Sequence, residues 1–123
     1  QRLVRRLCPH CRVPAQPTPQ EHAWLLETVG AELADRVPAR APRGCPQCRG
    51  AGFSGRAAVF ESLEITRGLA DALAHGDTGA YLRAAEAQLR GRRLAHDAVR
   101  LVREGVTTLH EAMRVAALVA EDA

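Results

Sequence analysis

The chain has 123 residues, 46% apolar but only 3% aromatic, with 17 basic residues against 14 acidic ones and a formal charge of +3. Apolar content of this kind supports one modest domain, or a domain with a small satellite, whose core of Leu, Val and Ala suits packed helices better than a sandwich. No apolar run approaches the roughly 18 residues of a membrane span. Every basic residue is arginine, a bias that codon usage explains.

In chain order, Gln1–Leu7 reads as the end of a helix, with Leu3, Val4 and Leu7 on one side and Arg2, Arg5 and Arg6 on the other. A domain rarely opens in mid-helix, so a longer parent chain is expected. Next come the four cysteines, in two knuckles: Cys8-Pro9-His10-Cys11 and Cys45-Pro46-Gln47-Cys48. Two C-x-x-C turns supply four sulfurs, which close a tetrahedral zinc site and leave no open position for catalysis. Pro9 and Pro46 stiffen the turns, and Gly50 and Gly52 relieve the backbone after the second. Residues 12–44 form a longer spacer than a zinc ribbon uses, so a folded element is expected inside it.

Other cysteine chemistries fit less well. Two disulfides would need a secretory context, and no signal peptide is visible. A redox Cys-Pro-His-Cys needs a helix starting at the motif, which Pro14, Pro17 and Pro19 oppose. The second knuckle has the form of the cysteine-rich repeat of DnaJ-type chaperones, but the first lacks its glycines. Cys8, Cys11, Cys45 and Cys48 are therefore the expected ligands of one structural Zn2+, in a reducing cytoplasm. Four thiolates and one zinc ion change the charge by −4 + 2 = −2, from +3 to about +1. That is no nucleic-acid footprint.

Thr18-Pro19-Gln20-Glu21 starts a helix, with Thr18 as cap, Pro19 first and Glu21 closing a capping box. It is expected to stop at Gly30 and to bury Trp24, Leu25 and Val29. Ala31–Gly44 reads as a loop with at most a short extended piece, and Phe53–Leu63 as a strand in which Arg56 and Glu61 pair with each other or with a neighbour, or are ordinary exposed charges. Four helices should follow. The first runs from Thr66 to His75 and ends at Gly76, the second from an Asp77 or Thr78 cap to about Arg90, and the third from Leu94 to Glu104, stopping at Gly105. The last opens at a second capping box, Thr108 with Glu111, and runs to about Val119. The expected fold is mainly α: a tetracysteine zinc subdomain with a short β element over residues 1–64, then a bundle of about four helices over 65–123.

No catalytic constellation emerges. There is no lysine for a phosphate loop, no nucleophile elbow and no H-E-x-x-H. His10, His22, His75, His96 and His110 fall on separate elements, and His96 and Asp97 are helix neighbours that face different ways.

The order of motifs resembles the C-terminal end of the bacterial type II secretion and type IV pilus assembly ATPases, the general secretion pathway protein E family. Gln1-Arg2-Leu3 with Leu7-Cys8-Pro9-x-Cys11 carries it, followed by Gly44-Cys45-x-x-Cys48. Gly52-Phe53-x-Gly55-Arg56-x-x-Val59-Phe60-Glu61-x-Leu63 and Gly105-x-Thr107-Thr108-x-x-Glu111-x-x-Arg114-Val115 complete it. Ala58 and Ala98 stand where glycine is usual. The resemblance implies a hexameric cytoplasmic motor, peripheral to the inner membrane, that hydrolyses ATP to assemble a pilus or pseudopilus. Its phosphate loop and magnesium-binding motifs would lie upstream of Gln1, so ATP and Mg2+ belong to the parent protein. The implied partners are neighbouring subunits and inner-membrane platform proteins, with no nucleic acid and no direct membrane span. An independent zinc-ribbon binding module for nucleic acid or protein is the alternative.

Overall fold

A computed structural model describes the backbone of residues 1–122 and the side chains of residues 1–117. The first segment departs from expectation: Arg2–Leu7 is a strand, β1, not the end of a helix. The second strand of its sheet, Phe53–Val59, pairs with it antiparallel, Arg2 opposite Val59 and Leu7 opposite Phe53, with an irregularity between Arg5 and Leu7. That bulge explains the misreading. It leaves Arg5 and Arg6 both exposed and brings Val4 and Leu7, three residues apart, to the same buried side. Buried residues three apart in a short segment look helical in sequence.

The knuckle spacer carries a two-stranded ribbon, β2 (Val13–Ala15) with β3 (Ala39–Ala41), and between them helix α1 (Pro19–Ala34). The strand over Phe53–Val59 is therefore β4 in chain order. At the start of α1 the expected capping box is complete: the Glu21 N–H donates to Thr18 Oγ1 (3.1 Å) and the Thr18 N–H donates to Glu21 Oε1 (2.9 Å). The helix runs further than expected. Gly30 breaks it at φ 85°, but a helical turn resumes beyond and ends at Ala34, capped by Asp35. Leu25 is fully buried, and Trp24 and Val29 pack against the core from partly buried positions.

β4 ends at Val59 because the next N–H, that of Phe60, donates to Asp97 Oδ2 (2.8 Å) instead of continuing a ladder. Glu61 does not pair with Arg56. Its carboxylate accepts the Leu94 N–H (2.8 Å) and so caps a helix. The four helices after β4 are α2 (Arg67–Ala74), α3 (Thr78–Leu89), α4 (Leu94–Arg103) and α5 (Leu109–Asp122). Thr66 and Asp77 cap α2 and α3. α4 ends in a Schellman motif: the Gly105 N–H donates to Val102 O (3.0 Å) and the Val106 N–H to Leu101 O (2.9 Å).

The main core gathers Val4, Leu25, Val37 and Val59 with Leu94, Ala98, Val102, Leu109, Ala112 and Val115. Residues on both sides of position 64 thus line one apolar cluster. A second device fixes α5 to β1. The Leu7 N–H donates to Val106 O (2.7 Å), the Arg5 N–H to Glu111 Oε2 (2.9 Å), and the Thr107 hydroxyl to Arg5 O (2.8 Å). Arg114 Nη2 donates to Leu3 O (3.1 Å). Residues 106–114 therefore satisfy the strand edge that β4 leaves open. The expected capping box at α5 is only half formed for this reason. Thr108 Oγ1 accepts the Glu111 N–H (3.1 Å), but the Glu111 carboxylate is drawn to Arg5 and Arg114 rather than back to its own cap.

Candidate metal centre

Each knuckle is built by its own backbone. In the first, the Cys11 and Arg12 N–H groups both donate to Cys8 O (3.4 and 3.2 Å). In the second, Pro46–Cys48 is a single 3-10 turn with Pro46 at its first position, closed by the Gly50 N–H on Cys45 O (2.9 Å). The Cys8 N–H then donates to Gly52 O (2.9 Å), which ties one knuckle to the other. Gly52 sits at φ +81°, and a Cβ there would come within 2.5 Å of the Pro42 Cβ. Glycine is needed on both counts. The β2–β3 ribbon holds the spacer ends together, so that Gly44 returns beside Cys11.

These contacts bring Cys8, Cys11, Cys45 and Cys48 together, their sulfurs all within 4.8 Å of one another. Among the described residues this is the one cluster of three or more Cys, His, Asp or Glu with such spacing. The close sulfur pairs are Cys8–Cys45 and Cys11–Cys48 at 3.8 Å and Cys45–Cys48 at 3.7 Å. Four sulfurs placed about 2.3 Å from a central ion stand about 3.8 Å apart along the edges of a tetrahedron. A disulfide would need about 2.05 Å, and the cysteines are free thiols. His10, inside the first knuckle, is exposed and outside this cluster.

Backbone donors surround the sulfurs unevenly. The Gly52 and Cys45 N–H groups donate to Cys48 Sγ (3.1 and 3.3 Å), and the Gly44 N–H donates to Cys11 Sγ (3.3 Å). Burial pushes the Cys48 thiol up, but the Gly52 and Cys45 donors outweigh it and hold the group at about 6. Cys8 moves the other way. Burial pushes it up to about 11, with the neighbouring thiols adding to the rise and the His10 N–H opposing it. One sulfur of the set is thus readied as a thiolate before any cation arrives, and a divalent ion would displace the remaining protons.

Sequence reasoning selected the four sulfurs but missed the groups around them. Gly52 was legible only as a turn former and Gly44 only as the end of a loop; the Gly52 N–H···S bond forms within the second knuckle, and that of Gly44 follows from the two knuckles meeting. Asp97 is engaged by the Phe60 N–H and by Arg100 Nε (2.8 Å), so it makes no pair with His96.

The family model described as "Type II/IV secretion system protein" matches residues 1–114. The chain is 34% identical over 119 residues to the type IV pilus assembly ATPase TfpB of Acinetobacter baylyi, covering 96% of this chain and 20% of that protein. It is 36% identical over 117 residues to the type II secretion system protein E of Aeromonas hydrophila, covering 94% and 22% respectively. For the type IV pilus assembly ATPase PilB of Thermus thermophilus the identity is 31% over 115 residues, covering 92% and 12%. The chain therefore spans less than a quarter of the length of these curated relatives.

Proposed function

This chain belongs to the type II/IV secretion system protein family, and we propose that it is the zinc-binding, non-catalytic portion of a hexameric secretion or pilus-assembly ATPase. Cys8, Cys11, Cys45 and Cys48 hold one structural Zn2+, and the ion joins two turns that lie 33 residues apart along the chain. The observation that carries the reading is the meeting of those four sulfurs within 4.8 Å, three of their six pairs at the 3.7–3.8 Å of a tetrahedral edge, within a chain matched almost throughout by secretion and pilus ATPases. Closed tetracysteine coordination is structural chemistry, with no site for substrate.

In this reading, ATP and Mg2+ bind elsewhere in the parent protein, and the present chain acts through contacts. Its partners are neighbouring subunits of the motor and the inner-membrane platform of the secretion or pilus machine. No helix among the described residues is long and apolar enough to cross a membrane, which fits a motor that reaches the membrane through partners from the cytoplasmic side.

Elemental analysis of the purified protein tests the centre: one zinc per chain is expected, lost with any cysteine-to-serine change. Disulfides, or four freely titrating thiols with no metal, would overturn it. The main apolar cluster is separate from the sulfur cluster. Chelation is therefore expected to open the knuckles while much of the helical signal over residues 65–123 persists, read by circular dichroism and hydrogen exchange. Loss of all helix in one cooperative step would mean that residues 1–64 and 65–123 do not unfold separately.

A further inference from the structure

We propose that Cys45 is the point at which this centre is chemically opened, the thiolate that reacts first with soft electrophiles and with disulfides. The inference rests on the zinc reading above and concerns which of the four ligands yields.

Access comes first. Cys8, Cys11 and Cys48 are 2%, 8% and 9% exposed, whereas Cys45 is the least buried of the four. A cleft of about 320 Å³ between the knuckles, lined by Cys45 and Cys11 with His10, Arg43 and Pro46, gives a small reagent room to reach sulfur.

Electronic state points the same way. An N–H···S bond draws electron density from a thiolate and leaves it a poorer nucleophile. The three such bonds at 3.1–3.3 Å end on Cys48, twice, and on Cys11. Cys11 shares the cleft, but it is buried and carries the Gly44 donor. Cys8 has neither the cleft nor the exposure. Access and nucleophilicity therefore coincide at Cys45.

The chemistry balances without an added oxidant. With a maleimide, Cys45 Sγ forms a bond to one alkene carbon, and the displaced π pair ends as a C–H bond to a proton taken from water. The sulfur becomes a neutral thioether and its bond to the metal is lost. With a disulfide, a new S–S bond forms at Cys45, the old S–S bond breaks, and the other half leaves as a thiolate. Either way three thiolates remain, and the second knuckle is left anchored through Cys48 alone.

The test uses zinc-loaded protein and substoichiometric N-ethylmaleimide, with adducts mapped by peptide mass spectrometry and zinc release followed with a chromophoric chelator. The Cys45 adduct is expected to exceed that at each other cysteine by on the order of tenfold, with zinc release tracking it. An adduct at Cys8, Cys11 or Cys48 that equals or exceeds the one at Cys45 in zinc-loaded protein overturns the proposal and leaves the zinc reading intact. Protein that takes up no zinc overturns both, so the two failures are told apart. Cys45→His keeps four donors, and alkylation should slow by on the order of tenfold; an unchanged rate counts against the proposal. The wild-type map decides the question even where that variant does not fold.

Discussion

Helices α4 and α5 differ from helices α2 and α3 in what holds them, although all four begin at a cap, a neighbouring side chain for α2, α3 and α5 and the distant Glu61 for α4. Each pair has a capped start and a glycine between its helices. Yet α4 buries Leu94, Ala98, Val99, Leu101 and Val102, and α5 is bonded to β1 through Thr107, Glu111 and Arg114. The α2–α3 pair buries only Leu69 and Ala85, and leaves Leu73 and Leu82 each 55% exposed. It meets the rest of the molecule through polar links at its base, between Glu64 and Gln88 and between Glu86 and Arg93. Caps decide where a helix starts and stops; long-range partners decide whether it belongs to the core.

The comparison breaks most readily at Leu101. Leu101→Ala removes a side chain that is 6% exposed inside the main cluster, and a loss of about 3 kcal/mol is expected from denaturant unfolding. Next is Glu111, whose side chain is 2% exposed. Burial pushes its carboxyl up, but Arg114 and the Arg5 N–H outweigh that and hold it down at about 2, below the ordinary 4.5. A depressed acid stabilises the fold in its ionised form. The contribution is complete above about pH 4.5 and is lost as the pH falls towards about 2. Glu111→Gln should lower stability by about 2 kcal/mol at neutral pH and flatten the acid limb of a stability–pH curve. An unchanged acid limb would show that the Arg5–Glu111–Arg114 group does not hold α5 to β1.

The smallest effect is expected in the other pair. Leu82→Ala on α3 should change global stability by no more than about 0.5 kcal/mol. Hydrogen exchange should find the α2–α3 amides less protected than those of α4. A large loss at Leu82 would mean that this pair shares the main core.

The degree of legibility follows the same division. Both knuckles, the Thr18–Glu21 box and the starts of α2, α3 and α5 were readable because each depends on residues within a few positions of one another, whereas α4 starts on the Glu61 carboxylate, 33 positions away. The strand Arg2–Leu7 was not, since its partner lies some fifty positions on and a bulge disguised its alternation. Glu111 was misassigned for a related reason. Its spacing from Thr108 satisfies a local rule, and only the arrival of Arg5, 106 positions away, redirects the carboxylate. The metal ligands were legible as four sulfurs, and the donor from Gly44 to Cys11 only once the knuckles met.

The row of bonds along β1 has a mechanical meaning. Leu3, Arg5 and Leu7 are gripped in succession by Arg114, by Glu111 with Thr107, and by the backbone at Val106. A pull along the strand loads these rungs together in shear, so all must fail at once. A pull across the strand meets them one after another, as a zipper does. The direction in which this seam is loaded therefore sets how long it lasts.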